Sequence, residues 1–177
     1  MTAQPIKSVL IANRGEIAAR IIRGGKALGM RGIAVFSDPD ESSLYTSLAD
    51  EAYPLGGESA AESYLQGEKL IALALRTGAD SIHPGYGFLA ENPTFAEAVE
   101  KHGIRFVGPS AATMRLLGHK HSARLLAKQH GLPISPGYDG DDQSDATLRE
   151  QALALGFPLL VKAAAGGGGK GMRRVER

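Results

Sequence analysis

Short apolar runs alternate with segments of helical periodicity over roughly the first 130 residues, and this alternation limits the fold more than any other feature of the chain. Ser8–Ala12 (SVLIA), Gly32–Phe36 (GIAVF), residues 51–55, Asp80–His83 and Ile104–Val107 read as short strands. Between them, Glu16–Leu28 carries Ile17, Ile21 and Leu28 at near-helical spacing and is closed by Gly29. Ser63–Arg76 reads as a second helix with Leu65, Ile71 and Leu75 on its apolar side and Gly78 behind it. Asn92-Pro93 opens a third, as N-cap and first-turn proline, and Gly103 closes it. Strands separated by helices of ten or more residues cannot pair as hairpins. They predict βαβ units and an α/β class with an open, mostly parallel sheet.

Beyond it, Ala111–Leu117 and His121–Gln129 read as two short helices, the second ended by Gly131-Leu132-Pro133. Pro133, Pro136 and Gly137 then lead into Tyr138–Asp145, with four Asp in eight residues, a composition suited to a boundary or linker. These carboxylates lack the ordered spacing and closing Glu of a calcium loop and read as a solvated segment, so no metal site is expected in the chain. A helix over Ala146–Leu155, a strand over Pro158–Ala165, a Gly-rich turn and a strand over Arg173–Val175 complete the pattern. No internal repeat is visible.

Composition removes several functions. With 20 Lys+Arg against 19 Asp+Glu the formal charge is +1, which gives no electrostatic case for nucleic acid or a polybasic membrane contact. There is no cysteine, hence no disulfide, thiolate metal site or cysteine nucleophile. Hydrophobic residues make up 43%, and no apolar run approaches the ~20 residues needed to span a bilayer. The first residues lack a signal-peptide core or an Arg/Ser-rich transit segment, so the expectation is a soluble, cytoplasmic protein. Glycine is the outlier: 23 of 177 residues, roughly twice the average share of about 7%.

The glycines fall where chemistry is expected. In Val161–Met172 (VKAAAGGGGKGM), four consecutive glycines carry a high ordering entropy, which suits backbone that approaches a ligand closely or moves as a flap. Their N–H groups suit phosphate oxygens, and Lys170 adds charge; a flexible linker or tight hairpin is the plain alternative. Lys162 interrupts an apolar run on the strand face shared by Leu160. An inward ammonium there needs an anion, whereas an edge-strand Lys would reach solvent. In Ile82–Asn92 (IHPGYGFLAEN), Pro84, Gly85 and Gly87 force irregular backbone just after a strand and display His83, Tyr86 and Glu91. Open parallel sheets bind ligands beyond the carboxyl ends of their strands. His83 by itself reads as a residue buttressing the turn. Asn13-Arg14-Gly15 sits at the first strand-to-helix corner, where it could face an anion or simply form a turn.

Taken in order, IANRGEIAARI, HPGYGFLAEN, the FVGPS turn and VKAAAGGGGKGM resemble the biotin carboxylase component of biotin-dependent carboxylases over essentially the whole chain. GYDGDDQSD before the Lys162 strand is most like the acyl-CoA carboxylase α-subunits, methylcrotonyl-CoA first and propionyl-CoA second. The resemblance implies a Rossmann-like N-terminal domain over residues 1–115 and the beginning of an ATP-grasp domain over 116–177. It implies a ligase that carboxylates biotin with bicarbonate through carboxyphosphate, with Mg2+-bound ATP cleaved to ADP and phosphate. Lys120 and Lys162 match the family's ATP-contacting lysines, Gly168 and Gly169 the phosphate-covering lid glycines, and Met172 the residue beside adenine. Tyr86 lies in the segment that faces the biotin ring. The implied partners are a biotin carboxyl carrier domain, a carboxyltransferase subunit and a second copy of the domain in a homo-oligomer.

Two departures stand out: His119 replaces the usual acid before Lys120, and Ala90 replaces a Ser beside Glu91. The family's metal-binding carboxylates, bicarbonate-side base and catalytic arginine would follow residue 177, so no catalytic residue is assigned and the 177 residues alone are expected not to turn over ATP. Two other readings remain. One is an ATP-grasp ligase of the carbamoyl-phosphate synthase or purine carboxylase type. The other is a non-catalytic Rossmann-like module that binds a dinucleotide, with Asp38 in its favour, or that dimerises through the exposed Arg20, Arg23 and Lys26 of Glu16–Leu28.

Overall fold

The computed structural model describes residues 5–118, 120–162 and 171–177. Contacts divide the chain into two compact units, Met1–Arg115 and Leu116–Arg177. In the first, β1 (Ser8–Ile11), β2 (Arg31–Phe36), β3 (Glu51–Pro54), β4 (Ser81–His83) and β5 (Arg105–Phe106) form one sheet in the order β3-β2-β1-β4-β5. Every pairing in it is parallel, so each strand needs a crossover segment to return to the same end of the sheet. The helices supplying the longer crossovers are α1 (Gly15–Ala27), α3 (Gly67–Thr77) and α4 (Pro93–Lys101), with a short α2 (Leu44–Leu48) between β2 and β3.

Alternation along the strands decides which helix packs where. Val9, Ile11 and Ala34 join Ala18, Ala19 and Ile22 of α1 and Tyr45 of α2 in one buried cluster. Leu10, Ala12, Ile33, Val35 and Ile82 join Leu70, Leu73 and Ala74 of α3 and Phe95, Ala96 and Val99 of α4 in the other. The sheet is therefore covered on both faces, as parallel sheets require. Each aliphatic side chain of this size contributes about 1.5–3 kcal/mol on full burial. Asn92 caps α4 as expected: its side chain accepts the Phe95 N–H at 3.0 Å, with Pro93 in the first turn.

Several boundaries differ from the expectation, each for a tertiary reason. The helix expected over Ser63–Arg76 begins at Gly67. Ser63 and Tyr64 are instead fully buried in the preceding turns, where the Ser63 hydroxyl donates to the Ser59 carbonyl at 2.6 Å. On α3 the buried residues are Leu70, Ile71, Leu73 and Ala74, while Leu65 and Leu75 are exposed. On α1 the core side is Ala18, Ala19, Ile22 and Gly25, and Leu28 is exposed. The polar run after β2 contains α2, whose Tyr45 is buried against the sheet.

The second unit comprises α6 (Lys120–Gln129), α7 (Asp145–Leu155) and an antiparallel pair, β6 (Leu159–Val161) and β7 (Arg173–Val175); α5 (Ala111–Leu117) straddles the division. None of its described residues is fully buried. The strand expected over Pro158–Ala165 is paired only as far as Val161, and residues 163–165 lie outside those described. Leu160, Val161 and Lys162 are all exposed, so the inward Lys162 of the sequence reading is not found. An isolated two-stranded pair is marginal by itself; here only Leu159 and the facing Val175 are partly buried, so alternation alone buries neither side fully. This contrast between units is measurable: Ile82→Ala should cost roughly 2–5 kcal/mol in urea-induced unfolding, and Leu160→Ala within about 0.5 kcal/mol. Equal losses would contradict the assignment of the core.

Candidate functional site

Because every strand of the sheet runs the same way, the segments after β1, β2 and β4 emerge together at the carboxyl edge. The β1–β4 pairing continues past the strand end, with the Ala12 N–H donating to the His83 carbonyl at 2.9 Å. Asn13, next in sequence and only 3% exposed, lies between the two segments. Its Nδ2 donates to the carbonyls of Pro84 at 2.6 Å and Tyr86 at 2.8 Å, and its Oδ1 accepts the Arg14 N–H at 2.9 Å. Both amide hydrogens and the carbonyl oxygen are thereby used.

The residues 83–88 fit this anchor closely. Gly85 has φ +64°, and a Cβ there would stand 2.9 Å from Asn13 Nδ2 and 3.2 Å from Ile17 Cγ1. Only glycine meets both requirements. The exposed Tyr86 ring reaches back to α1, where its hydroxyl donates to the Glu16 carboxylate; that bond raises the phenol's pKa. Phe88, a non-glycine residue at φ +41°, stacks on Tyr64 with centroids 5.1 Å apart and planes 11° apart.

Tyr64 connects this loop to the end of β2. Its hydroxyl donates to Asp40 Oδ2 at 2.6 Å and accepts from the Ser37 N–H at 3.0 Å, with the Tyr45 hydroxyl at 3.0 Å. The Tyr45 hydroxyl, with one hydrogen to share, also lies 3.1 Å from the Val35 carbonyl. Burial pushes both phenols above their ordinary pKa. Asp40 further accepts from the Ser37 hydroxyl at 3.1 Å and pairs with Arg14 at 3.0 Å, and the Arg14 guanidinium lies 5.9 Å from the Tyr64 ring centroid. Asp40, Tyr45, Tyr64 and Phe88 went unmarked in the sequence reading, because apart from the Ser37–Asp40 bond these bonds join residues 10 to 27 positions apart with no local spacing rule.

This packing bears on the dinucleotide alternative. Strand order reverses between β1 and β4, where such folds open a ligand crevice. Here Asn13 is bonded to the Pro84 and Tyr86 carbonyls at that point. Asp38, the acid in favour of a dinucleotide, accepts the Gly57 N–H at 3.1 Å.

The residues assigned to ATP occupy the second unit. Lys162 directly follows, and Met172 directly precedes, the last paired positions, Val161 and Arg173, so the hairpin brings these two together at one end. Both are exposed. Lys120 is the first residue of α6. Its side chain, with His119, Gly168 and Gly169, lies outside the described residues. In the acidic segment, Asp139 pairs with Arg124 at 2.6 Å and Asp142 accepts from Ser144 and Thr147. Among the described residues no three His, Asp or Glu are grouped to hold a metal ion, and no helix is long and apolar enough to cross a membrane.

His83 plays the buttressing part expected of it, with Nδ1 accepting the Gly85 N–H at 3.0 Å. Burial holds its pKa below the usual 6.5. The neutral ring is favoured in the folded state, so its contribution to stability is complete above pH 6.5 and declines as pH falls from there toward the folded midpoint. An NMR titration, with the His83 signal assigned by its loss in His83→Gln, should give a midpoint below 6.5. A midpoint at or above that value would contradict the burial argument.

Two family models match the chain in order. Residues 5–114 match the biotin carboxylase N-terminal domain, and residues 119–177 match the ATP binding domain of the carbamoyl-phosphate synthase L chain. The mitochondrial methylcrotonoyl-CoA carboxylase subunit alpha of Dictyostelium discoideum is 49% identical over 174 residues, covering 98% of this chain and 25% of that protein. The biotin carboxylase of Pseudomonas aeruginosa is 51% identical over 171 residues, covering 96% of this chain and 38% of that one. A crystal structure of a Campylobacter jejuni biotin carboxylase–beta-gamma-ATP complex superposes with a TM-score of 0.91 at 45% identity, over 98% of this chain and 39% of that one. The biotin carboxylase domain dimer of a Hydrogenobacter thermophilus 2-oxoglutarate carboxylase, in complex with ADP, magnesium and bicarbonate, gives 0.89 at 42% identity, over 98% of this chain and 38% of that one. The chain thus spans between a quarter and two fifths of the length of these relatives. A Rossmann-like sheet, a loop HPGYGF fixed at its carboxyl edge and a matching family model over most of the sequence together establish that the chain belongs to the biotin carboxylase family.

Proposed function

We propose that this chain is the N-terminal portion of a cytoplasmic biotin carboxylase and supplies ATP contacts and a biotin-facing loop to the reaction in which bicarbonate, activated by MgATP as carboxyphosphate, carboxylates biotin. The observation that carries this reading is near-half identity to biotin carboxylases across nearly the whole chain, both family models lying in register. Residues 1–115 would be the N-terminal domain and 116–177 the beginning of the ATP-grasp domain. The division between compact units at Arg115 and Leu116 supports that boundary.

Within that reading Lys162 and Lys120 meet the nucleotide's phosphates, Gly168 and Gly169 cover them, and Met172 lies beside adenine. The adjacency of Lys162 and Met172 at one end of the β6–β7 pair supports a shared nucleotide contact. An exposed ammonium beside a polyphosphate offsets charge that builds as the γ-phosphoryl group is transferred. Tyr86 faces the biotin ring from a loop whose backbone and hydroxyl are both held. No group among the described residues fits Mg2+. The partners in this reading are a biotin carboxyl carrier domain, a carboxyltransferase subunit and a second copy meeting the exposed Arg20 and Arg23 of α1, with methylcrotonyl-CoA as the first-choice final acceptor.

In the full-length protein, Lys162→Ala should raise the KM for ATP about tenfold or more in biotin-dependent ADP release, and Tyr86→Ala should raise the KM for biotin while leaving that for ATP in place. Unchanged constants in both variants would refute the assignment. The 177-residue chain by itself should release no ADP above its own Lys162→Ala control.

A further inference from the structure

We infer that Asn13 is a positioning residue for Tyr86, setting the affinity of the site for biotin without touching it; this rests on the reading of Tyr86 as biotin-facing. The geometry is particular to one side chain. The Asn13 nitrogen holds two carbonyls two residues apart, those of Pro84 and Tyr86, and so dictates the backbone that launches the Tyr86 ring. Its oxygen is bound to the Arg14 N–H, which fixes the plane of the amide.

Four further observations favour a fixed Tyr86 over a merely buried asparagine. The position is nine-tenths or more buried yet lies beside an exposed aromatic residue, so its polar atoms serve the loop and not solvent. Tyr86 is tied at a second point, its hydroxyl, to Glu16, which lies three residues beyond Asn13. The carbonyl and hydroxyl of Tyr86 are thereby both referenced to the β1–α1 corner. The far end of the loop is held independently, by Phe88 stacked on Tyr64. Gly85 supplies the counterpart, since any side chain there would strike the Asn13 amide. A ring held in this way meets a ligand without first losing conformational freedom, which lowers the cost of binding.

Asn13→Asp is the discriminating substitution. It keeps the shape and the acceptor for Arg14, but sets an oxygen without a hydrogen against two carbonyl oxygens. In the full-length protein the KM for biotin should rise about tenfold, with the KM for ATP within twofold. Hydrogen exchange should quicken in a peptide covering His83–Phe88 and stay unchanged in one covering β2. Gly85→Ala, which retains Asn13 but presses a methyl group on its amide, should reproduce the split, and it stands in if Asn13→Asp does not fold. A normal biotin KM in these variants, with Tyr86→Ala raising it, would overturn the inference and leave the role of Tyr86 intact. Equal rises in both constants would reduce Asn13 to a general stability residue. If Tyr86→Ala itself leaves biotin KM unchanged, the biotin-facing reading fails and the inference falls with it.

Discussion

The hydrogen-bonding of β1 to both β2 and β4 is the constraint from which the rest of the structure follows. A strand paired on both edges and buried on both faces cannot slide: a shift of one residue would send Val9 and Ile11 to the α3–α4 side and Leu10 and Ala12 to the α1 side. With β1 locked, Ala12 meets His83, and Asn13 arrives within reach of the Pro84 carbonyl. The parallel sense does the remainder, since it brings the ends of β1, β2 and β4 to one edge. A single register thus determines where the 83–88 loop can be caught.

Polar side chains then complete what the backbone begins. Asp40 Oδ2 receives Arg14, the Tyr64 hydroxyl and the Ser37 hydroxyl, and no buried side-chain polar atom among the described residues lacks a partner. Such a network is stabilising only when complete. Each buried donor left unpaired costs on the order of 1–3 kcal/mol, so loss of one member penalises its neighbours as well. Tyr64 shows the consequence: one hydroxyl holds the end of β2 while its ring supports Phe88, coupling the loop after β4 to the segment after β2.

Much of this was legible in the sequence, and what was not has a common cause. The strands of the parallel sheet, α1, α4 with its Asn92 cap and the turn-supporting role of His83 are local matters of periodicity, capping and short-range bonding, and they are found within a residue or two of where the sequence implies. The start of α3 is not local. Ser63 and Tyr64 belong to a helical pattern by sequence, but burial of Tyr64 against Ser37 and Asp40 holds them in turns. The short α2 hid in a polar run because its single buried aromatic, Tyr45, carries no period. The inward orientation expected of Lys162 differs for another reason: alternation predicts an inward face, and Lys162, directly after the β6–β7 pairing, is exposed among the described residues. At the site, Asn13 was visible as a corner residue, but its partners lie 71 and 73 residues away.

The two ends of the proposed reaction consequently differ in how their residues are made effective. Tyr86 is held by bonds inside the first unit, and its geometry exists before any ligand arrives. Lys162 lies in solvent, where an ammonium and a phosphate oxygen 4 Å apart attract by only about 1 kcal/mol, against about 4 kcal/mol at the effective dielectric near a protein surface. Under the proposed function, the strength of Lys162 toward ATP depends on what excludes water around the bound nucleotide, whereas that of Tyr86 depends on Asn13 and Glu16. Substitutions on the biotin side should therefore act through geometry, and those on the ATP side through charge and solvent screening, with salt weakening the second far more than the first.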